Sequence, residues 1–139
     1  MSDKVHKGGC NCGEIRYELT GEPGAVLACH CLNCQRQGGA AFSVNLIMTH
    51  EQVNITGTPK IYVDKDTDSG SFAHRHFCGN CGSPIMTLSD LFPQIAVIKA
   101  GTLDERVGFE PQAVCFTDTA FDWANLFPGK PSSPRNPQL

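Results

Sequence analysis

Eight cysteines in 139 residues constrain this chain more than any other feature. They are grouped. Cys10-Asn-Cys12-Gly13 stands near the front, Cys29-His-Cys31-Leu-Asn-Cys34 follows, Cys78-Gly-Asn-Cys81-Gly82 lies mid-chain and Cys115 is alone. Disulfides belong to oxidising compartments, and Met1-Ser-Asp-Lys4 opens the sequence without the apolar stretch of a signal peptide. A cytoplasmic location is therefore expected, where stable disulfides are rare. Buried apolar thiols do not usually recur two and three residues apart. Metal binding is the third explanation, and the spacing favours it.

Composition bounds the partners. Charged residues make up 18% and the formal net charge is −3. Lysines and arginines are scattered, so no basic patch for nucleic acid is expected. No run is apolar for the roughly 18 residues that a membrane span needs. Oligomeric state is not legible.

Alternating and apolar runs predict strands at Glu14–Leu19, Ala25–Ala28, Phe42–Met48, Lys60–Val63, Ser71–Phe77, Pro84–Leu88 and Gln94–Lys99. Gly, Asn and Pro separate them at short intervals, which predicts an antiparallel, mainly β domain with little helix. Short helical turns are expected from Cys31 to Arg36 and at Thr49–Gln52. Residues 1–128 read as one zinc-binding domain. Residues 129–139, with three prolines, read as a flexible C-terminal tail.

Cys10, Cys12, Cys78 and Cys81 read as two halves of one site. Residues two apart in an extended segment point the same way, so Cys10 and Cys12 can aim at one point. Gly79 and Asn80 tolerate the tight turn that brings Cys78 and Cys81 together. Four thiolates close a tetrahedral zinc shell, which makes the site structural and couples it to folding. A disulfide or a set of free thiols is the alternative.

Cys29, Cys31 and Cys34 pack three thiols into six residues. Three protein ligands and one open position is the arrangement of a reactive zinc site. The open position can take water or a substrate thiol, and a coordinated thiol is deprotonated. Three other readings compete: a closed site with Cys115 or His30 as fourth ligand, a redox pair at Cys31 and Cys34, or a metal-free cluster. The expected metals are one structural zinc and a second, labile one.

With both clusters in view, the chain resembles the glutathione-dependent formaldehyde-activating enzyme family, which also includes centromere protein V. The resemblance rests on four features in order: Gly9-Cys10-Asn-Cys12-Gly13, Cys29-His-Cys31-Leu-Asn-Cys34-Gln35, Arg75-His-Phe77-Cys78-Gly-Asn-Cys81-Gly82-Ser83-Pro84 and Ala100-Gly-Thr-Leu-Asp104. It implies a mainly β fold assembled around zinc, the β-tent. It implies structural zinc at Cys10, Cys12, Cys78 and Cys81, and a labile catalytic zinc at Cys29, Cys31 and Cys34. It also implies a carbon–sulfur lyase type of reaction between glutathione, or a similar thiol, and a small aldehyde. A non-catalytic glutathione- or zinc-binding module, or a structural zinc protein with a partner surface, is the alternative. After Asp104 the sequence departs from the family pattern, and no glutathione-binding residue carries over.

Outside the clusters, Cys115 in an apolar run reads as an inert buried thiol. Arg75 either serves nearby thiolates or a substrate carboxylate, or is a surface strand residue. Arg36, two residues beyond Cys34, reads as solvated, or as lying where the backbone N–H groups of a helix that starts at the cluster can stabilise thiolates or an anion. His74 and His76 share a strand face with Cys78. Asp104 reads as a turn residue or a base, and Phe121 and Trp123 as covers for the core.

Overall fold

A computed structural model of the chain describes residues 4–137. The three N-terminal residues and the last two of the expected tail lie outside the described residues.

Ten strands form two sheets. The smaller holds β1 (Val5–Gly9), β2 (Arg16–Thr20) and β5 (Val53–Thr56) in the order β1-β2-β5, all antiparallel. The larger has seven strands: β3 (Ala25–Cys29), β4 (Ser43–Thr49), β6 (Lys60–Asp64), β7 (Ala73–Phe77), β8 (Pro84–Ser89), β9 (Ile95–Lys99) and β10 (Ala113–Cys115), in the order β10-β3-β4-β9-β8-β7-β6. The fold is mainly β with little helix, as expected, but the large sheet is mixed. β10 pairs with β3 in parallel, Cys115 opposite Cys29, because the chain reaches it by the long crossing from β9 rather than a hairpin.

Side-chain alternation sorts the large sheet into two faces. Leu46 and Met48 of β4, with Ala96 and Ile98 of β9, face the small sheet and close one core with Tyr17 and Leu19 of β2. Asn45 and Ile47 of β4, with Val97 and Lys99 of β9, face the other way. A bulge between His76 and Phe77 shifts the β7–β8 register and leaves Ile85 as the extra residue, buried in the core.

The single α-helix among the described residues, α1 (Leu32–Gly38), begins where the expected turn begins. The Sγ of Cys31 caps it by accepting from the Cys34 amide at 3.2 Å, and Gly39 ends it in the left-handed region at φ 65°. No helix among the described residues is long and apolar enough to cross a membrane.

Two expectations change. Residues 131–136 do not hang free: Val114 donates to the Pro131 carbonyl at 2.9 Å, and Phe116 to that of Arg135 at 3.0 Å. The Arg135 guanidinium lies over the Phe116 ring. Three prolines are compatible with this because the tail amide that the docking uses belongs to Ser133, which donates to the Val114 carbonyl at 2.9 Å. Phe121 and Trp123 do not cover the core. They stack on each other at the surface, 49% and 63% exposed.

His6 of β1 is buried between two carboxylates, with Nδ1 2.8 Å from Glu105 and Nε2 2.9 Å from Glu22. When both carboxylates are ionised they only accept, so both ring nitrogens donate and the ring is an imidazolium. Burial opposes the charge, but the hydrogen bonds to Glu105 and Glu22 outweigh it and raise the pKa above 6.5. A raised folded pKa contributes stability that is complete below pH 6.5 and is lost as pH climbs through the folded value. The gap in melting temperature between wild type and His6→Gln should therefore be widest below pH 6.5 and narrow at higher pH. A gap that stays constant across a pH series of melts contradicts the ion-pair assignment.

Candidate metal centres and the adjoining cavity

The first cluster forms where two hairpins meet. Cys10 and Cys12 lie in the β1–β2 turn, and Cys78 and Cys81 in the β7–β8 turn. One sulfur from each lies within 4.8 Å of the other three. The Sγ separations are 3.6 Å for Cys10–Cys12 and 3.7 Å for Cys12–Cys78. A tetrahedral zinc with sulfurs at about 2.3 Å requires edges of about 3.8 Å, so the donor set and its spacing fit that ion.

Backbone amides prepare these thiols for the anionic state. Ile15 donates to Cys10 Sγ at 3.2 Å, while Asn80 and Cys81 donate to Cys78 Sγ at 3.4 and 3.5 Å. The Ser83 hydroxyl lies 3.2 Å from Cys81 Sγ and also accepts from the Asn11 amide at 3.0 Å, tying the two turns together. The Ser83 hydroxyl and amide bring Cys81 down to about 5. Cys10 is lowered although burial opposes it, chiefly by the Ile15 amide. Cys78 goes up to about 11: the Cys81 amide favours its thiolate, but burial and the thiols of Cys81 and Cys10 outweigh that. Thiols this close cannot all ionise alone; a dication removes the conflict.

The second cluster lies at the end of β3 and the start of α1. The sulfurs of Cys29, Cys31 and Cys34 are mutually within 4.8 Å, and all three residues are buried. Hydrogen bonds from Cys29 and Cys31, with the positive charge of Lys99, hold Cys34 well below the ordinary thiol value against burial. Cys29 is pushed up, first by its contact with Cys115, and Cys31 by Cys29 and Cys34. Neither alternative fourth ligand completes this group. Cys115 is buried beside Cys29, across the parallel pair, so it is part of the cluster's wall rather than an isolated thiol. The ring of His30 packs on Phe42, centroids 5.2 Å apart.

The trio opens onto a cavity of about 140 Å³ on the outer face of the large sheet, lined mainly by apolar groups. Arg75 is buried in its wall and pairs with Asp64, Nε to Oδ2 at 2.9 Å. It is therefore not a surface strand residue. Lys99 is buried there too, its Nζ 3.3 Å from Asn45 Oδ1. Thr87 lines the same wall, and its Oγ1 has no hydrogen-bond partner among the described residues. The sequence reading missed Asn45, Thr87 and Lys99. Their signal was a polar residue at alternate positions of otherwise apolar strands, all on one sheet face.

The remaining candidates do not line this cavity. His74 bonds Asp90 at 3.0 Å, and His76 Nδ1 lies 3.1 Å from the His74 carbonyl. Asp104 pairs with Arg16, whose guanidinium lowers its pKa. Arg36 sits exposed in the last turn of α1.

Residues 5–119 match the family model described as glutathione-dependent formaldehyde-activating enzyme. The chain belongs to that family. A Fusarium vanettenii protein provisionally named as a glutathione-dependent formaldehyde-activating enzyme is 32% identical over 74 residues, which cover 52% of this chain and 38% of that protein. The chain thus aligns with well under half of that relative's length. A Rhodobacter sphaeroides protein solved by a structural-genomics effort shares the fold at a TM-score of 0.58 and 20% identity, over 73% of this chain and 90% of the other.

If the four-thiol cluster clamps the two sheets, Cys78→Ser should lower the melting temperature by roughly 10 °C or more. Cys34→Ser, at the trio, should lower it far less. Equal losses from the two variants in thermal melts would contradict the division between a clamp and an open site.

Proposed function

We propose that this protein is a zinc-dependent enzyme that makes or breaks a carbon–sulfur bond between a thiol such as glutathione and a small aldehyde. The observation that carries this reading is a three-thiol cluster that no fourth His, Cys, Asp or Glu among the described residues joins, beside a cavity lined mainly by apolar groups. Family membership and the name of the Fusarium relative support the same chemistry. Cys10, Cys12, Cys78 and Cys81 would hold a structural zinc. Cys29, Cys31 and Cys34 would hold a second, labile one.

The chemistry that the second metal supplies when bound is deprotonation of a thiol at its open position. The chain's own residues do the rest. Cys29, Cys31 and Cys34 fix the place where sulfur enters. Lys99, beside Cys34, offsets the negative charge that three thiolates leave uncompensated on a dication. Asn45 holds the Lys99 ammonium in the wall. Leu27, Ile47 and Val97 keep water away from the reacting pair. In the forward direction the thiol sulfur bonds to the carbonyl carbon, the C=O π bond breaks, and the thiol proton ends on the carbonyl oxygen. The reverse direction releases the aldehyde.

The zinc-loaded protein should consume formaldehyde faster in the presence of glutathione than the uncatalysed addition does. Cys34→Ser should reduce that excess rate by at least about a hundredfold, the scale seen when a metal's supporting ligation is disturbed. A wild-type rate equal to the uncatalysed one, measured by aldehyde depletion, excludes the enzyme and leaves a thiol-binding module.

A further inference from the structure

The outer face of the large sheet has an unusual content for a wall that borders an apolar cavity. Four adjacent strands place polar side chains there in register. Arg75 of β7 is opposite Thr87 of β8, and Lys99 of β9 is opposite Asn45 of β4. All four residues are at least nine-tenths buried. Such groups cost stability unless they are paired. Arg75 donates to Asp64 through Nε alone, Asp64 accepting from Asn33 as well, and the Nη groups have no hydrogen-bond partner among the described residues. Lys99 has a single neutral acceptor, the amide oxygen of Asn45, and no carboxylate partner among the described residues. Thr87 Oγ1 is unpartnered.

Two cations and a hydroxyl thus converge on one small space with hydrogen-bonding capacity unused. The chemistry that would satisfy them is a carboxylate, which accepts from all three at once. The space limits what carries it. A cavity of about 140 Å³ is comparable to the engineered cavity of about 150 Å³ that admits benzene, so the occupant has about six heavy atoms. Most of a tripeptide would lie outside that space.

We propose that this cavity is a carboxylate subsite, and that the electrophile is a short oxo acid of the glyoxylate kind. This identification of the electrophile rests on the proposed reaction at the trio; the carboxylate subsite does not. Lys99 and Thr87 grip the carboxylate, Arg75 adds its free Nη edge, and the carbonyl carbon of the oxo acid faces the sulfurs of Cys29, Cys31 and Cys34.

Titration calorimetry with unreactive probes tests the subsite without turnover. Propionate should bind the zinc-loaded protein at least about tenfold more tightly than propionamide, its neutral isostere, because a hydrogen bond to a charged group is worth that much. Lys99→Met should abolish the difference, and a circular dichroism melt shows whether that variant is folded; the wild-type comparison decides the question without it. Glutathione should leave the propionate affinity unchanged. Equal binding of propionate and propionamide overturns the proposal and makes Lys99 only a counter-ion of the thiolates. Mutually exclusive binding of propionate and glutathione overturns the oxo-acid assignment, since the carboxylate would then be the thiol's own. Failure of the proposed reaction reads differently: no aldehyde or oxo acid is consumed, while propionate still binds.

Discussion

Four thiols from two sheets meet at one point, where they cannot all be anionic without a cation. The β1–β2 turn belongs to the small sheet and the β7–β8 turn to the large one. Cys10 and Cys78 sit inside the shared core beside Ile15 and Ile85. A metal there closes a loop of more than sixty residues, from Cys12 to Cys78, and removes chain entropy that a modest core would otherwise have to offset. The amide and hydroxyl donors around the sulfurs matter for the same reason: they orient the ligands before the ion arrives.

The second cluster uses the same element of chemistry to a different end. Its sulfurs come from a strand end and a helix cap rather than from two opposed turns, so they gather on one side only. The other side is cavity. All three of its cysteines are buried, whereas Cys12 of the first cluster is exposed, and that burial sharpens the effect of Lys99 on Cys34. The sheet that carries the core on one face carries this polar wall on the other, so the scaffold that the clamp stabilises is also what aligns the wall.

Much of this was legible from local pattern. Metal-ligand spacing is a property of a few residues, so both cysteine groups were readable, as were the seven strands with clear alternation or apolar runs. β1 was not, because Lys7, Gly8 and Gly9 have the composition of a loop and are held in place by pairing with β2 and by Leu103. β5 and β10 are four and three residues long, too short for a period to show. The docking of the tail on β10 uses backbone groups that any sequence possesses. The cavity wall depends on register between distant strands: Arg75 reads as an ordinary strand residue until Asp64, Thr87 and the bulge at His76 place it inside.

Anomalous scattering at the zinc edge, on crystals grown with zinc and then exchanged into zinc-free buffer containing glutathione, tests the central claim most directly. The account predicts two peaks before exchange, one at each cysteine cluster. Afterwards the peak among Cys10, Cys12, Cys78 and Cys81 should keep full height, while the one at Cys29, Cys31 and Cys34 should either carry a new sulfur ligand or be lost. A single peak in zinc-grown crystals, or two peaks equally indifferent to the thiol, would contradict the division into a structural clamp and an open, thiol-accepting site.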